Sequence, residues 1–359
     1  MEILRIYDRA FCELGICTAY TRLEYTREFR GEGHAVVEVP IICSASELFM
    51  PDGYVTVPHG EMYIIKSVKK NVEKGVVKVE CLGLLSLFRG TAIPSEYAVM
   101  TDAVTAMFGL VRKAVGNTPV PLSIGNAVEC KNVNFRSGRS VLYDDLVSLC
   151  YLGGIGMKLE YDGGVLKFSA LPFRDRTAGS DEPVTVSGEL GTFEAMECVA
   201  DLEGYKNVAI VSGTDKESGG RYTVTVRSDE LDFGDKFPGG DYFDRQMLVN
   251  FTSPVSGYMV EGADGKKILD EAAYAAAMRI AGAAALGRVR PKLTLVGYTE
   301  DSEMSLGDVV EVYDSSTGVV ADAVAECITT VITENEIVST THLRADSENG
   351  YDMIFKKNQ

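Results

Sequence analysis

The chain has 359 residues, 46% of them hydrophobic, and a formal net charge of −17 at pH 7. This length and apolar content suffice for two to four packed domains and exclude a generally disordered chain. The negative charge argues against a protein that wraps a phosphate backbone, because such proteins cluster Lys and Arg and release counterions on binding. The first twenty residues lack the continuous apolar core of a signal peptide, so no export signal is predicted.

Residues 1–90 have the pattern of short strands separated by turns. Two alternating segments flank an Asn- and Gly-containing connection between 62 and 88, which predicts an antiparallel hairpin. Before it, the apolar runs HAVVEVP and YVTV are bounded by proline or glycine, which limits the length of a strand. We therefore expect residues 1–90 to form a first small β-barrel-like domain.

Residues 91–183 combine helical periods with a hairpin, and we expect an α+β domain there. Thr101 or Asp102 can cap a helix through TDAVTAMFGLVRKAV, whose apolar residues lie on one stripe. Ser140 is a plausible N-cap for a second helix, which ends at the glycine pair 153–154 before a further hairpin. Because these glycines follow a helix instead of preceding one, they predict a helix cap and no phosphate-binding loop.

Alternation returns after a linker predicted at 175–183. We expect a second β-barrel-like domain, assembled discontinuously from 184–236 and 290–345, with a helix-containing insertion at 237–289. The last hairpin turns at 334–336 and is expected to pair with strands more than a hundred residues earlier. The predicted fold class is mainly β with α+β insertions.

Residues that usually carry catalysis or bind metals are sparse. His34, His59 and His342 are far apart, and none has a second ligand three or four positions away. The eight cysteines form no C-x-x-C pair, and in a chain without an export signal we expect free thiols. The common hydrolase, nucleotide and protease signatures are absent from the sequence. We therefore assign no catalytic residue, no metal ligand and no cofactor.

Two pairs of acidic residues leave an enzymatic alternative open. The pairs are Asp144 with Asp145 and Asp201 with Glu203. A glycoside hydrolase needs one carboxyl as the acid and another as the base or nucleophile. Neighbouring acids on an exposed face are more commonly solvated.

Two further charged segments allow either a structural role or a contact role. One segment contains Arg174, Asp175 and Arg176. It is consistent either with an ion network between subunits or with an ordinary exposed cluster in a linker. Gly307 and Asp308 precede the run VVEVY, and this order favours a turn that starts a strand.

The order of several segments is typical of one protein family. The first two are RIYDRAFCELGICTAYTRLEYTREFRGEGHAVVEVP and MYIIKSVKKNVEKGVVKVECLGLLSLFRGTAI. Later segments are LVSLCYLGGIGMKLEYDGGVLKFSALPFRDRT, DLEGYKNVAIVSGTDKESGGRYTVTV and MSLGDVVEVYD. From residue 4 to about 343, their order resembles the tail-hub (baseplate-hub, tail-associated) protein family of long-tailed bacteriophages. Longer members carry an appended lytic or receptor-binding domain, which we do not expect after GYDMIFKKNQ.

The resemblance implies a trimeric hub in the virion tail tip, synthesised in the bacterial host cytoplasm. Two β-barrel-like domains per subunit would form a pseudo-sixfold ring between a hexameric tail tube and a threefold tip. The implied partners are distal tail and tail tube proteins, the tape-measure protein, and tip or fibre proteins. DNA would pass through the lumen without specific binding, and a negative lumen would repel its phosphates.

Two other classes of function remain open from the sequence. One is a carbohydrate-active cell-wall hydrolase that uses an acidic pair, and it would require a carboxylate pair with fixed geometry in a cleft. The other is a generic β-rich binding protein. Neither alternative predicts the segment order described above.

Overall fold

In a computed structural model, the chain divides into two units. The described residues are 3–93, 95–116, 118, 120–125, 127–137, 140–190, 196–201, 205–214, 220–230, 243–251, 255–261, 266–288, 292–299, 304–314 and 319–344. The first unit consists of Met1–Met196, Val296–Tyr313 and Asp322–Arg344. The second consists of Glu197–Leu295, Asp314–Ala321 and Ala345–Gln359. The chain therefore enters the first unit three times.

Strands dominate the secondary structure, as the sequence predicted. The strands are β1 (Leu4–Tyr7), β2 (Glu13–Cys17), β3 (Arg22–Glu28), β4 (His34–Pro40), β5 (Tyr54–Thr56), β6 (Met62–Asn71), β7 (Val76–Gly83), β8 (Tyr97–Asp102), β9 (Leu122–Ile124), β10 (Asn132–Ser137), β11 (Gly156–Asp162), β12 (Val165–Leu171), β13 (Arg174–Arg176), β14 (Thr185–Ser187), β15 (Met196–Asp201), β16 (Val208–Thr214), β17 (Arg221–Arg227), β18 (Gln246–Phe251), β19 (Met259–Glu261), β20 (Lys267–Leu269), β21 (Lys292–Thr299), β22 (Asp308–Asp314), β23 (Val319–Thr333) and β24 (Ile337–Arg344). The α-helices are α1 (Ala103–Ala114), α2 (Leu142–Gly153) and α3 (Glu271–Arg288). Short 3-10 helices occupy Ser44–Glu47, Pro58–Gly60, Leu84–Gly90, Ser228–Glu230 and Val255–Tyr258. A mainly β fold with helical insertions is thus confirmed.

The large sheet of the first unit joins early and late strands of the chain. Its path runs β21-β24-β23-β3-β4-β7-β6-β5-β1-β2, and β22 pairs with β23, β13 and β14. The predicted hairpin of β23 and β24 is present, and the Thr333 N–H donates to the Glu336 carbonyl at 2.9 Å across its turn. Strand β23 pairs antiparallel with β3, from Cys327 opposite Glu28 to Thr333 opposite Arg22. The hairpin therefore adds to strands of the first 90 residues.

The expected β-barrel closure is not formed among the described residues. The sheet path begins and ends at different strands, and β2 pairs with β1 alone. Barrel strands and half-buried strands of an open sheet share the same alternation, whereas closure depends on tilt and shear. The alternating pattern therefore predicted the strands correctly, and the described strands form no closed barrel. The domain boundaries at 90, 183, 236 and 290 stay a prediction.

Two hydrophobic cores support the first unit. One core lies among the strands of residues 4–81 and includes Leu23, Tyr25 and Ile332, so β23 contributes to it directly. The other packs α1 and α2 against the sheet β11-β12-β9, with Leu110 and Leu146 fully buried. Both cores follow from alternating or helical apolar spacing, which places one face of each element inward.

The helix ends follow the sequence prediction with one correction. Asp102 caps α1, and its side chain accepts the Thr105 N–H at 2.8 Å. Gly154 ends α2 in the left-handed conformation, with φ of 65°. The residue at the N-cap of α2 is Val141, without a side-chain cap bond, and not Ser140 as predicted. Ser140 instead donates to the Asp145 carboxylate at 2.6 Å, and this bond replaces the expected cap.

The second unit contains a small sheet covered by α3. Its order is β17-β16-β18, antiparallel on one side of β16 and parallel on the other. Tyr274 and Met278 of α3 are buried against Val211 and Val226 of the sheet. No helix among the described residues is long and apolar enough to cross a membrane.

Candidate functional site

A cleft of about 490 Å³ lies in the first unit, where α2 approaches β23 and the segment that follows β3. Its walls come from distant parts of the chain and carry three arginines, three acids and two tyrosine rings. The lining residues are Glu28, Arg30, Gly31, Arg89, Tyr143, Asp144, Val147, Tyr151, Glu326, Cys327 and Arg344. A concave site with a few polar groups is the usual form of a binding site.

Arg30 is a buried cation of the cleft, with 8% of its surface exposed. Its Nη1 donates to Glu326 Oε1 at 2.9 Å, and its Nε donates to the Ile155 carbonyl at 3.3 Å. The guanidinium also lies 4.5 Å from the ring centroid of Tyr151 and 5.1 Å from that of Phe173. A buried guanidinium with a carboxylate partner and aromatic neighbours is electrically compensated and fixed in position.

Arg89 is a more exposed cation of the same cleft. Its Nε donates to Glu32 Oε2 at 2.9 Å, and its guanidinium lies 4.1 Å from the Tyr143 ring centroid. The bond to Glu32 raises the pKa of Arg89, and burial raises the pKa of the Tyr143 hydroxyl. Tyr151 of the cleft is 47% exposed. The cleft thus offers aromatic surface beside two arginines that are already paired with carboxylates.

The predicted acidic pair of Asp144 and Asp145 is not brought together in the cleft. Asp144 lines the cleft, whereas the Asp145 carboxylate accepts hydrogen bonds from the Ser137 and Ser140 hydroxyls. Loss of solvation raises the pKa of Glu28, and the electrostatic influence of the nearby His34 opposes that rise. The side chains of the second predicted pair, Asp201 and Glu203, lie outside the described residues.

The predicted charged cluster at 174–176 divides into exposed and buried members. Arg174 pairs with Glu182 on the surface, and both side chains are more than half exposed. Asp175 accepts the Thr177 N–H at 2.9 Å, and this bond lowers its pKa. Strand β13 consists of Arg174–Arg176, so the start of the segment predicted as a linker belongs to the sheet.

Arg176 and Asp308 form a second buried ion pair. Arg176 Nη1 lies 3.3 Å from Asp308 Oδ2, and their side chains are 9% and 1% exposed. Arg176 Nε also donates to the Glu182 carbonyl at 3.0 Å, and Asp308 Oδ2 accepts the Ser305 N–H at 2.9 Å. The turn predicted before VVEVY is confirmed, because Gly307 has φ of 88° and β22 begins at Asp308. The buried role of Asp308 was not predicted.

The two buried ion pairs escaped sequence reasoning for the same reason. Their partners are 296 and 132 residues apart, so no local spacing connects them. A charged residue inside an apolar strand pattern is a weak signal, and Asp308 at the start of DVVEVYD is such a residue. The signal indicates burial without identifying the partner.

The described residues contain no group of three or more His, Cys, Asp or Glu side chains that could hold a metal ion. His342 Nε2 lies 3.3 Å from Thr329 Oγ1, and burial lowers the pKa of this imidazole. His34 begins β4, and the side chain of His59 lies outside the described residues. Free thiols occur at Cys12, Cys17, Cys43, Cys81, Cys130, Cys150 and Cys327. Burial raises the pKa of the Cys150 thiol to about 12, which keeps it protonated at neutral pH.

The fold of the chain is similar to that of solved phage tail proteins. The tail protein from Neisseria meningitidis MC58 is 12% identical, with 98% of this chain and 99% of that chain covered and a TM-score of 0.54. Prophage tail protein gp18 from Listeria monocytogenes EGD-e is 12% identical, with 99% of both chains covered and a TM-score of 0.53. The 43 kDa tail protein of prophage MuSo2 from Shewanella oneidensis is 12% identical, with 98% of this chain and 100% of that chain covered and a TM-score of 0.56.

Sequence comparison finds no such likeness. No protein-family model matches the chain, and no curated protein matches it. The resemblance therefore rests on the order of structural elements over the whole length and not on shared side chains. The chain has the fold of phage and prophage tail proteins.

Proposed function

We propose that the chain is a structural hub of a bacteriophage or prophage tail tip. Three copies would form a ring that joins the tail tube to the distal tip and lets DNA pass. The observation that carries this proposal is the coverage of the structural likeness, which spans 98–99% of this chain and 99–100% of three tail proteins. A shared domain grafted onto unrelated proteins would cover part of each chain instead.

An edge of the large sheet that has no partner strand among the described residues supports assembly into a ring. Strand β2 ends the sheet path, and Leu14 and Ile16 on it are 38% and 50% exposed. Ile3, just before β1, is 51% exposed. Uncovered edge strands with apolar side chains favour pairing with another chain. A contact between different surfaces of identical copies closes a ring when its rotation permits.

The proposed partners are the distal tail and tail tube proteins, the tape-measure protein, and tip or fibre proteins. The net charge of −17 suits a channel through which DNA passes without binding, because negative walls repel phosphate. The site of action would be the virion tail tip, after synthesis in the cytoplasm of the bacterial host. No enzymatic step is part of this role, and the divergent environments of Asp144 and Asp145 give the hydrolase alternative no support.

The oligomeric state of the full-length protein tests the hub proposal. Light scattering after gel filtration should give three times the subunit mass of 38.9 kDa. A stable even-numbered oligomer would contradict a threefold ring.

A cell-wall overlay gel tests the absence of enzymatic activity separately. We expect no clearing of peptidoglycan by the purified protein. Clearing that is lost in a Glu28→Gln or Asp144→Asn variant would replace the structural assignment with the hydrolase alternative.

A further inference from the structure

The hairpin of β6 and β7 is the lysine-rich part of an acidic chain. The first 112 residues contain five lysines, and all five fall between Lys66 and Lys78. Residues 66–80 hold these five lysines and two glutamates, a net charge of +3. The other 344 residues hold 30 basic and 50 acidic side chains, a net charge of −20. The hairpin and the rest of the chain are therefore opposite in charge.

The end of this hairpin presents apolar side chains to solvent. Val72, in the turn, is 80% exposed, and Ile42, in the loop after β4, is 93% exposed. A backbone bond from the Ile41 N–H to the Gly75 carbonyl, at 2.8 Å, holds the two loops at one end of the sheet. We call Ile42, Val72, Lys70 and Lys74 the basic tip.

The turn that carries the basic tip is ordered by its own hydrogen bonds. Asn71 Oδ1 accepts the Lys74 N–H at 3.0 Å, and the Val72 carbonyl accepts the Gly75 N–H at 3.2 Å. Gly75 has φ of 65°, which a residue with a side chain rarely adopts. A surface that is fixed before binding loses little conformational entropy on association.

Part of the positive charge is free for a partner. Lys69 and Lys78 both pair with Glu80, at 2.8 and 3.3 Å. Among the ion pairs of the described residues, none involves the exposed lysines 66, 70 and 74. Lys70 and Lys74 each lie two residues from Val72 along the hairpin. Such an arrangement fits an apolar patch rimmed by carboxylates.

We propose that the basic tip is one half of a head-to-tail contact with a second copy of this chain. A copy supplies carboxylate-rich surface, since the chain outside the hairpin carries a net charge of −20. Val72 and Ile42 favour a protein over a nucleic acid, because a phosphate backbone offers no surface for aliphatic side chains. A contact between two different surfaces of identical copies closes into a ring when its rotation permits. The inference rests on the proposed hub and adds the surface through which its copies meet.

Charge and apolar variants of the full-length protein test this contact. The apolar variant is Ile42→Asp with Val72→Asp, and the charge variant is Lys70→Glu with Lys74→Glu. Sedimentation velocity over a range of concentrations measures the dissociation constant of self-association. We expect each variant to raise it at least about tenfold, and NaCl at about 500 mM to raise that of the wild type relative to about 50 mM.

Matched controls change equally exposed residues elsewhere. Met100, 86% exposed, becomes Asp in one control, and the exposed Lys167 becomes Glu in the other. Both controls should associate as the wild type does. The circular dichroism spectrum at about 25 °C should be unchanged for all variants, because the changed side chains are exposed. Should the apolar variant unfold, the charge variant still decides the question.

Three outcomes would overturn the inference, and they are distinguishable from one another. If the wild type is trimeric and the tip variants are equally trimeric, the basic tip is not the contact, and the hub proposal still stands. If the wild type is monomeric at every concentration, both the proposed head-to-tail contact and the proposed ring are contradicted. Binding of a duplex oligonucleotide that is lost in Lys70→Glu with Lys74→Glu, with self-association unchanged, would assign the tip to nucleic acid instead.

Discussion

The two units of the molecule are assembled from sequence in different ways. In the first unit, β3 pairs with β23, and the Thr26 and Thr329 hydroxyls lie 3.1 Å apart although 303 residues separate them. In the second unit, the sheet β17-β16-β18 and its covering helix come from the continuous stretch 205–288. Closing a long loop costs entropy before any contact forms. The first unit therefore depends on the whole chain, whereas the second depends mainly on its neighbours in sequence.

The interiors of the two units also differ in chemistry. The first unit buries the ion pairs Arg30–Glu326 and Arg176–Asp308, and each joins an early segment to a late one. In the core of the second unit, the rings of Tyr222, Phe251 and Tyr258 lie 5.2–5.4 Å from the Tyr274 ring. A buried charge that loses its partner strongly destabilises the folded state. A buried ion pair therefore favours the one arrangement in which its two segments meet. Packed aromatic rings stabilise the core mainly through the apolar surface that they bury, and this contribution tolerates small displacements of the rings.

Removal of the last hairpin should have the largest effect. A chain that ends at Gly318 lacks β23 and β24, and so loses the ladder to β3, the Arg30 partner Glu326 and the core residue Ile332. We expect aggregation, because the edge of β3 and part of a core become exposed. Solubility after expression and thermal unfolding by circular dichroism measure the result.

The matched truncation ends at Asn349 and keeps both strands. It should remain soluble and unfold cooperatively, because β24 ends at Arg344. A soluble, cooperatively folding product from the chain ending at Gly318 would show that the first unit closes without its late strands.

Loss of the buried ion pair should have the next largest effect. Asp308→Ala leaves the Arg176 guanidinium buried without its carboxylate, and we expect it to lower the free energy of unfolding by about 3–5 kcal/mol. The control, Glu182→Gln, disrupts the exposed pair with Arg174 and should cost less than about 1 kcal/mol. Urea unfolding measures both. If both variants lowered the free energy of unfolding equally, burial would not strengthen the pair of Arg176 and Asp308.

A smaller effect is expected from filling a close contact in the second unit. A Cβ at Gly282 of α3 would lie 2.7 Å from Val226 Cγ2 and 2.8 Å from Val211 Cγ2. Gly282→Ala should therefore push the helix from the sheet and destabilise this unit by about 1–3 kcal/mol. Hydrogen exchange should increase at β16 and β17 and stay unchanged at β3 and β4. Gly257→Ala, where a Cβ meets nothing within 4 Å, is the control.

The smallest effect is expected at the cap of α1 in the first unit. Hydrogen bonds from Thr105 lower the pKa of Asp102 below its usual value. The cap therefore contributes fully above the unfolded pKa, near pH 4, and its contribution is lost as pH falls through the lowered folded pKa. Asp102→Ala should cost about 1 kcal/mol at pH 7. Asp102→Asn keeps a hydrogen-bond acceptor, so it should remove only the pH-dependent part of the contribution of the cap to the free energy of unfolding. Urea unfolding at several pH values measures both variants.

Local structure could be predicted from the sequence where one turn or one strand contains all the interacting residues. The hairpin across 62–88, the left-handed Gly154 and the turn at Gly307 each depend on residues a few positions apart. Hydrophobic period and turn chemistry act within that distance. For the same reason, the Ser140 cap was predicted wrongly, because Asp145 competes for its hydroxyl once the helix has formed.

The sequence by itself determined the strands, the helices, the turns and the overall charge of this protein. The tertiary structure decided that β23 pairs with β3, that β2 pairs with β1 alone among the described strands, and that Arg30 and Arg176 bind carboxylates far along the chain. An alternating strand can pair with any other strand of suitable register, and a buried charge accepts any partner within reach. Those choices depend on the packing of the whole chain, which no local pattern contains.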